Sequence, residues 1–308
     1  MLRAASAGSP APREAADFRR AAAALAEFAA PAPDVSRAEA ALPAEGRVIP
    51  SRVYRPGPSG DASLPALVYF HGGGWVSGDL ETHDAICAWL CHFAQCAIVA
   101  VAYRLAPESR FPAARDDAWA AVAAVVADPA RFGIDAARIG VGGDSAGAGL
   151  AAAAAREARD RGVALALQLL LCPVLDPLPR APSRREFAEG FLLEEATMAR
   201  YWELYRAEGL SPDDSRVTPS RAADLSGLPP AIIHCAEFDP VRDEGEFYAR
   251  ALAEAGVRVH HRVHRGLIHH FYGLGAVIPA GQTALATIGA NLRAGFAGEW
   301  DAAISTPE

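Results

Sequence analysis

The chain of 308 residues contains no apolar run long enough to cross a bilayer, which excludes a helical membrane-spanning protein. It has no excess of positive charge. Its 29 Lys and Arg stand against 37 Asp and Glu, and the resulting −8 argues against nucleic acid or an anionic membrane as partner. The N-terminus, "MLRAASAGSPAPREAADFRR", lacks the strongly apolar stretch of a secretion signal. A disulfide framework is missing too: Cys87, Cys91, Cys96, Cys172 and Cys235 are odd in number and scattered through apolar contexts. Reduced, buried thiols in a cytoplasm are the expectation. His83, Cys87 and Cys91 would share one helix face, but a fourth ligand is absent and the flanks read as buried helix, so no metal is expected there. There is no internal repeat, coiled coil or low-complexity tail. What remains, 51% hydrophobic and 21% charged residues, is the composition of a soluble protein with a sizeable core.

The first forty-odd residues are alanine-rich and broken by "PAPD" at 31–34, and they read as an N-terminal helical extension (1–45). From Arg47 onward, short apolar runs alternate with helical segments. "RVIPSRVYRP" reads as an antiparallel strand, and "PALVYF", "AIVAVAY", "RIGVGG", "ALALQLLLCPVL", "PAIIHCAE" and "VRVHHRV" as further strands separated by helices. Continuous apolar strands alternating with helices predict an α/β fold, a mostly parallel sheet covered on both faces, over 46–308. The alternation stops at about 177–227, where "REFAEGFLLEEATMARYWELYRAEG" is helical and aromatic. An insertion at the strand ends of such a sheet is a natural lid, with Phe187, Phe191, Tyr201 and Trp202 closing over a limited pocket.

Two glycine-rich turns carry the chemistry. "GGDSAG" places Ser145 in Gly-x-Ser-x-Gly where a short strand meets a long helix. A nucleophile elbow needs that setting: a strained turn, small neighbours and a hydroxyl raised above the sheet edge, with a helix N-terminus behind it. The overlapping "GAGLAA" falls inside the helix and is followed about twenty residues later by apolar sequence, so it does not predict a dinucleotide site. "ALVYFHGGGWVSGD" ends a strand in three glycines. Backbone N–H groups aimed at an oxyanion come close enough only where side chains do not intervene, which nominates Gly73 and Gly74, with Ala146 after the nucleophile, as the oxyanion hole. His71 reads as a loop-organising residue.

A serine nucleophile requires a base, and the base an orienting acid. His269 and His270 lie in "RGLIHHF" after the last strand, whereas His260, His261 and His264 fall within it as surface or packing residues. Asp239 follows "AIIHCAEF"; Glu237 and Asp243 are its close alternatives. The order Ser145, Asp239, His269 puts each residue at the C-terminal end of a strand, where open α/β sheets place their sites.

The stretches "HGGGW", "YRLAPESRFPAARDDA", "GGDSAG", "CPVLD", "LPPAIIHCAEFDPVRDEGEFYARAL" and "GLIHHF" together resemble the bacterial hormone-sensitive-lipase-like carboxylesterases, the GDSAG branch of the α/β hydrolases. The resemblance extends over nearly everything after Arg47. It implies an esterase acting on short- to medium-chain acyl esters, with Ser145 as nucleophile, His269 as general base, Asp239 as its acid, and Gly73, Gly74 and Ala146 as oxyanion donors. It implies a cap built from the N-terminal helices and the insertion, no metal or organic cofactor, and a small-molecule ester as partner. Members often pair through a sheet-edge strand, which leaves a homodimer open. Two departures stand out: His270 replaces the usual glycine after the base, and Ala148-Gly149-Leu150 replaces Gly-Asn-Leu. The same machinery also serves lactones, carbamates or formamides. Non-catalytic receptors share the fold, but they lack the triad histidine that is present here.

Overall fold

A computed structural model describes residues 14–57 and 63–300. Helix α1 (Ala15–Ala26) opens on a reciprocal cap, with the Glu14 N–H donating to Asp17 Oδ2 at 3.2 Å. Residues 1–13, which belong to the extension expected to be helical and to the N-terminus expected to lack a secretion signal, lie outside the described residues.

Residues 36–44 correct the expectation of helix up to residue 45. They form β1 (Ser36–Ala44), paired antiparallel with β2 (Arg47–Arg55) around Glu45–Gly46, where Gly46 takes φ +69°. Leu42 alone is buried in β1, so the strand carries almost no apolar alternation to reveal it. It is a strand because β2 offers it a hydrogen-bonding edge.

The remaining elements follow the predicted alternation: β3 (Leu64–Phe70), α2 (Asp84–Ala94), β4 (Ala97–Val101), α3 (Ala113–Ala127), β5 (Ile134–Asp144), α4 (Ala146–Asp160) and β6 (Gln168–Leu171). After the insertion come β7 (Ala231–Phe238), α7 (Arg242–Glu254), β8 (Val259–Ile268) and α8 (Pro279–Ala297). Among the described residues the eight strands form one sheet in the order β1-β2-β4-β3-β5-β6-β7-β8, parallel from β4 through β8. β4 is buried at every position and β3 at its last five, as a sheet covered on both faces requires.

This order positions the site. β5, carrying Ser145 at its end, lies between β3, whose C-terminal end opens into the glycine turn, and β6. β7 and β8 follow on the β6 side, and Phe238 pairs with Ile268, which brings Asp239 beside His269. The insertion between β6 and β7 holds the short α5 (Ser183–Glu186) and α6 (Glu195–Tyr205). It is pinned to α7 from below. The Ser183 N–H donates to Asp243 Oδ2 at 2.8 Å, and the fully buried Arg184 donates to Glu244 at 2.8 Å and Glu195 at 2.6 Å. Removing one partner of such a buried pair strands the other charge at a cost of about 3–5 kcal/mol. Among the described residues no helix is long and apolar enough to cross a membrane.

Candidate active site

Ser145 is the residue between β5 and α4, at φ +53° and ψ −121°, with its N–H bonded to Leu171 O at 2.8 Å. A non-glycine residue in that region is strained, and the strain is the price of raising the side chain above the sheet. A Cβ on Gly147 would run into the carbonyl oxygens of Phe70 and His71, so α4 approaches β3 closely only because that position is glycine.

His269 Nε2 lies 3.0 Å from Ser145 Oγ, and its Nδ1 lies 2.8 Å from Asp239 Oδ2. An ionised carboxylate only accepts, so Nδ1 carries the proton and Nε2 is left to accept from the serine hydroxyl. Asp239 is fully buried and its Oδ1 accepts from the Val241 N–H at 2.9 Å, which fixes the carboxylate plane. The two alternative acids are engaged elsewhere. Glu237 accepts from the Gly266 N–H at 2.7 Å, and Asp243 holds Ser183. His270 follows at φ +63° and turns its ring toward His83 and Tyr272, away from the Ser145–His269 line. Burial lowers its pKa to about 3, so it is neutral.

Gly73 and Gly74 take φ +115° and +62°, conformations that side chains resist. Their N–H groups have no acceptor among the described residues. The Ala146 N–H, at the first position of α4, has no intrahelical acceptor by geometry. His71 organises the loop as expected: its Nδ1 lies 2.8 Å from Gly72 O, and its own carbonyl accepts from Tyr103 Oη at 2.8 Å. Burial lowers its pKa to about 4.

Sequence reasoning missed Asp144, the variable residue of Gly-x-Ser-x-Gly. It is fully buried and accepts from Tyr69 Oη at 2.7 Å, the Gly72 N–H at 3.0 Å and Tyr272 Oη at 3.2 Å, with His83 Nε2 at 3.3 Å. Burial opposes its charge, but His83, His270 and Tyr69 outweigh that and hold its pKa below the usual carboxylate range. Through Gly72 it ties the glycine turn to the strand that carries the nucleophile. An acid directly before the serine, closing the apolar and glycine run 139–143, was the available signal. His83 thus serves Asp144, while Cys87 and Cys91 face the core.

One group of three potential metal-ligating side chains stands close together among the described residues: Cys172, Asp239 and His269, with donor atoms within 4.8 Å of one another. An ion there would displace the proton that Asp239 accepts from His269, so it competes with the hydrogen-bonded chain.

Above Ser145 a cavity of about 550 Å³ is walled by α1 (Phe18, Ala21, Ala22, Leu25) and by the insertion (Leu192, Met198, Tyr201, Trp202). Of the four aromatics expected over the pocket, Tyr201 and Trp202 line it. Phe187 and Phe191 instead cluster with Phe238 at ring separations of 5.2–5.8 Å.

Residues 67–273 match the model of a family described as having an alpha/beta hydrolase fold. The chain is 44% identical over 240 residues to carboxylic ester hydrolase LipN of Mycobacterium tuberculosis, covering 76% of this chain and 63% of that protein. It is 39% identical over 248 residues to ethyl acetate hydrolase of Pseudomonas putida, covering 79% and 78%. Ester-hydrolase EH1AB1 from the Lake Arreo metagenome, solved with a bipyridine phosphonate derivative, superposes with a TM-score of 0.92 at 38% identity over 96% of each chain.

Proposed function

The chain belongs to the α/β-hydrolase family, and on that premise we propose that it is a serine carboxylesterase cleaving short- to medium-chain acyl esters through Ser145, His269 and Asp239. The observation that carries the reading is the continuous hydrogen-bonded chain from Ser145 Oγ to His269 (3.0 Å) and on to Asp239 (2.8 Å), at the floor of a walled cavity.

In this reading His269 Nε2 takes the serine proton as Oγ attacks the ester carbonyl, and Asp239 stabilises the imidazolium. The N–H groups of Gly73, Gly74 and Ala146 receive the oxyanion. Preorganised donors of this kind are worth about 10²–10³ in turnover each. The intermediate collapses, His269 returns the proton to the departing alcohol, and an acyl group remains on Ser145. Water, deprotonated by the same Nε2, then releases the acid. These steps need no cofactor.

The N-terminal helix and the insertion form the cap, and the limited cavity of about 550 Å³ favours short acyl chains. Each added CH₂ contributes about 0.8 kcal/mol only while it finds room. The five cysteines, all unpaired and buried, suit a cytoplasmic protein. β8 ends the sheet as an edge strand, the surface on which two copies would pair. Lactones, carbamates and formamides are the alternative acyl substrates of the same machinery.

The test is a panel of p-nitrophenyl esters of increasing acyl length, run on wild type and Ser145→Ala with phosphonate labelling alongside. Efficiency rises briefly and then falls with chain length, and Ser145→Ala loses labelling and several orders of magnitude in turnover. A steady rise to triglyceride-length chains would refute the closed cap; labelling of Ser145→Ala would refute the nucleophile.

A further inference from the structure

The oxyanion turn is gripped from two sides. From below, the Gly73 carbonyl accepts three hydrogen bonds: from Val76 N at 3.1 Å, Ser77 N at 2.9 Å and Ser77 Oγ at 3.0 Å. That carbonyl and the Gly74 N–H belong to one planar trans peptide, so fixing the carbonyl aims the N–H the opposite way. From above, the Tyr201 ring of α6 lies directly on Gly74. A Cβ at Gly74 would overlap the ring, while Tyr201 Oη is 3.5 Å from Ser77 Oγ. One turn later on the same helix face, Tyr205 stacks on Trp75 at 4.5 Å and 11°. Gly73, Gly74 and Trp75 are three consecutive residues at positive φ. The contacts from above fall on the last two.

Helix α1 completes the grip. Phe18 backs Tyr201 with ring centroids 4.4 Å apart, and Arg19 Nε donates to Val76 O at 3.0 Å. Arg19 is itself held by Glu108 at 2.7 Å and by Ala106 O at 3.2 Å. The turn that supplies two oxyanion donors is therefore packed on one side by residues that come entirely from the two cap segments.

We propose that Tyr201 is a positioning residue for the oxyanion hole: docking of the cap on Gly74 sets the aim of the Gly74 N–H, so the cap contributes to turnover as well as to substrate binding. This rests on the esterase reading above. Tyr201 also lines the cavity, and a wall residue alone would act on KM. A residue that aims a donor used only in the transition state acts on kcat.

The experiment measures kcat and KM for p-nitrophenyl acetate in wild type, Tyr201→Phe and Tyr201→Ala, with the affinity of each for a trifluoromethyl ketone, whose hemiketal oxyanion must enter the hole. Tyr201→Ala lowers kcat about 100-fold, the size of one lost oxyanion donor, with KM within about threefold, and ketone affinity falls in parallel. Tyr201→Phe stays within about threefold of wild type, because the ring face and not the hydroxyl touches Gly74. A Tyr201→Ala enzyme with unchanged kcat and raised KM overturns the proposal, as does unchanged ketone affinity. If Tyr201→Ala melts below the assay temperature, Phe18→Ala carries the test. That variant removes only the backing ring: a fall in kcat of about fivefold at constant KM supports the aim, and a change in KM alone overturns it. A wild type without esterase activity or phosphonate labelling refutes the esterase reading; an active wild type with an indifferent Tyr201→Ala refutes this inference alone.

Discussion

Lowering the pH from 7.5 to 4.5 loads a histidine network that lies on β7 and β8, the strands ending in Asp239 and His269. His234 Nδ1 and His264 Nε2 are 3.0 Å apart, and Asn291 Nδ2 of α8 is 2.8 Å from His260 Nε2. His234, His260 and His264 are all buried. The His234–His264 contact holds one proton between two rings, and a second would break it. Burial, reinforced by Arg262 and His260, lowers the His264 pKa to about 4, and burial with His264 as neighbour lowers that of His234 as well. An unfolded histidine titrates near 6.5. Above that pH both states are neutral and stability is complete. Between 6.5 and 4 the unfolded chain binds a proton that the native chain refuses, so stability falls as the pH falls. For His264 alone the loss by pH 4.5 is about 2.5 kcal/mol. For a chain of this size that is about 4 °C in Tm. His264→Gln keeps a neutral donor facing His234 and cannot titrate. Guanidinium unfolding followed by tryptophan fluorescence, at both pH values, therefore finds the wild type losing about 2.5 kcal/mol more than His264→Gln between them. Equal losses in the two proteins would refute the reasoning.

Asp239→Asn keeps the fold and lowers turnover by about 10⁴, the effect of replacing a triad acid by its amide. Asp243→Asn weakens the Ser183 anchor, so it lowers the melting temperature while turnover at 25 °C survives; an inactive Asp243→Asn beside an active Asp239→Asn would reverse the assignment. His269→Gln is nearly inactive in the p-nitrophenyl assay. His270→Gly retains substantial turnover, since His270 occupies a left-handed position that glycine adopts without the roughly 1–2 kcal/mol cost of a side chain. Activity that survives in His269→Gln and vanishes in His270→Gly would move the base to His270.

The parallel sheet and the triad candidates were legible because each leaves a local mark. Strands buried on both faces are continuous apolar runs; Ser145 and Asp239 each sit just past a buried strand end, and His269 just past the alternating edge strand β8. β1 left no such mark, since an exposed edge strand with one buried leucine has the composition of a weak helix, and only its partner decides its state. The histidines of β8 read as surface or packing residues, and His260 and His264 are buried, but nothing local to them signals that Asn291 and His234 arrive from other elements. Tyr201 was illegible for the same reason, and Asp144 was marked only by being an acid next to the serine. Their roles lie in contacts to Gly72 and Gly74, 72 and 127 residues away, and residue type alone does not report a contact made by folding.

Helix α1 comes before every strand in the chain, yet the surfaces that receive it come far later. Arg19 reaches 87 and 89 residues ahead to Ala106 and Glu108, and Phe18 meets Tyr201 on α6. During synthesis, α1 therefore leaves the ribosome with its apolar face uncovered and waits for most of the protein before it can dock. The sheet and the nucleophile turn lie wholly outside α1. One wall of the substrate cavity is thus made before any strand and docks only after the insertion has followed, and the length of that wait sets how long this apolar face stays open to aggregation.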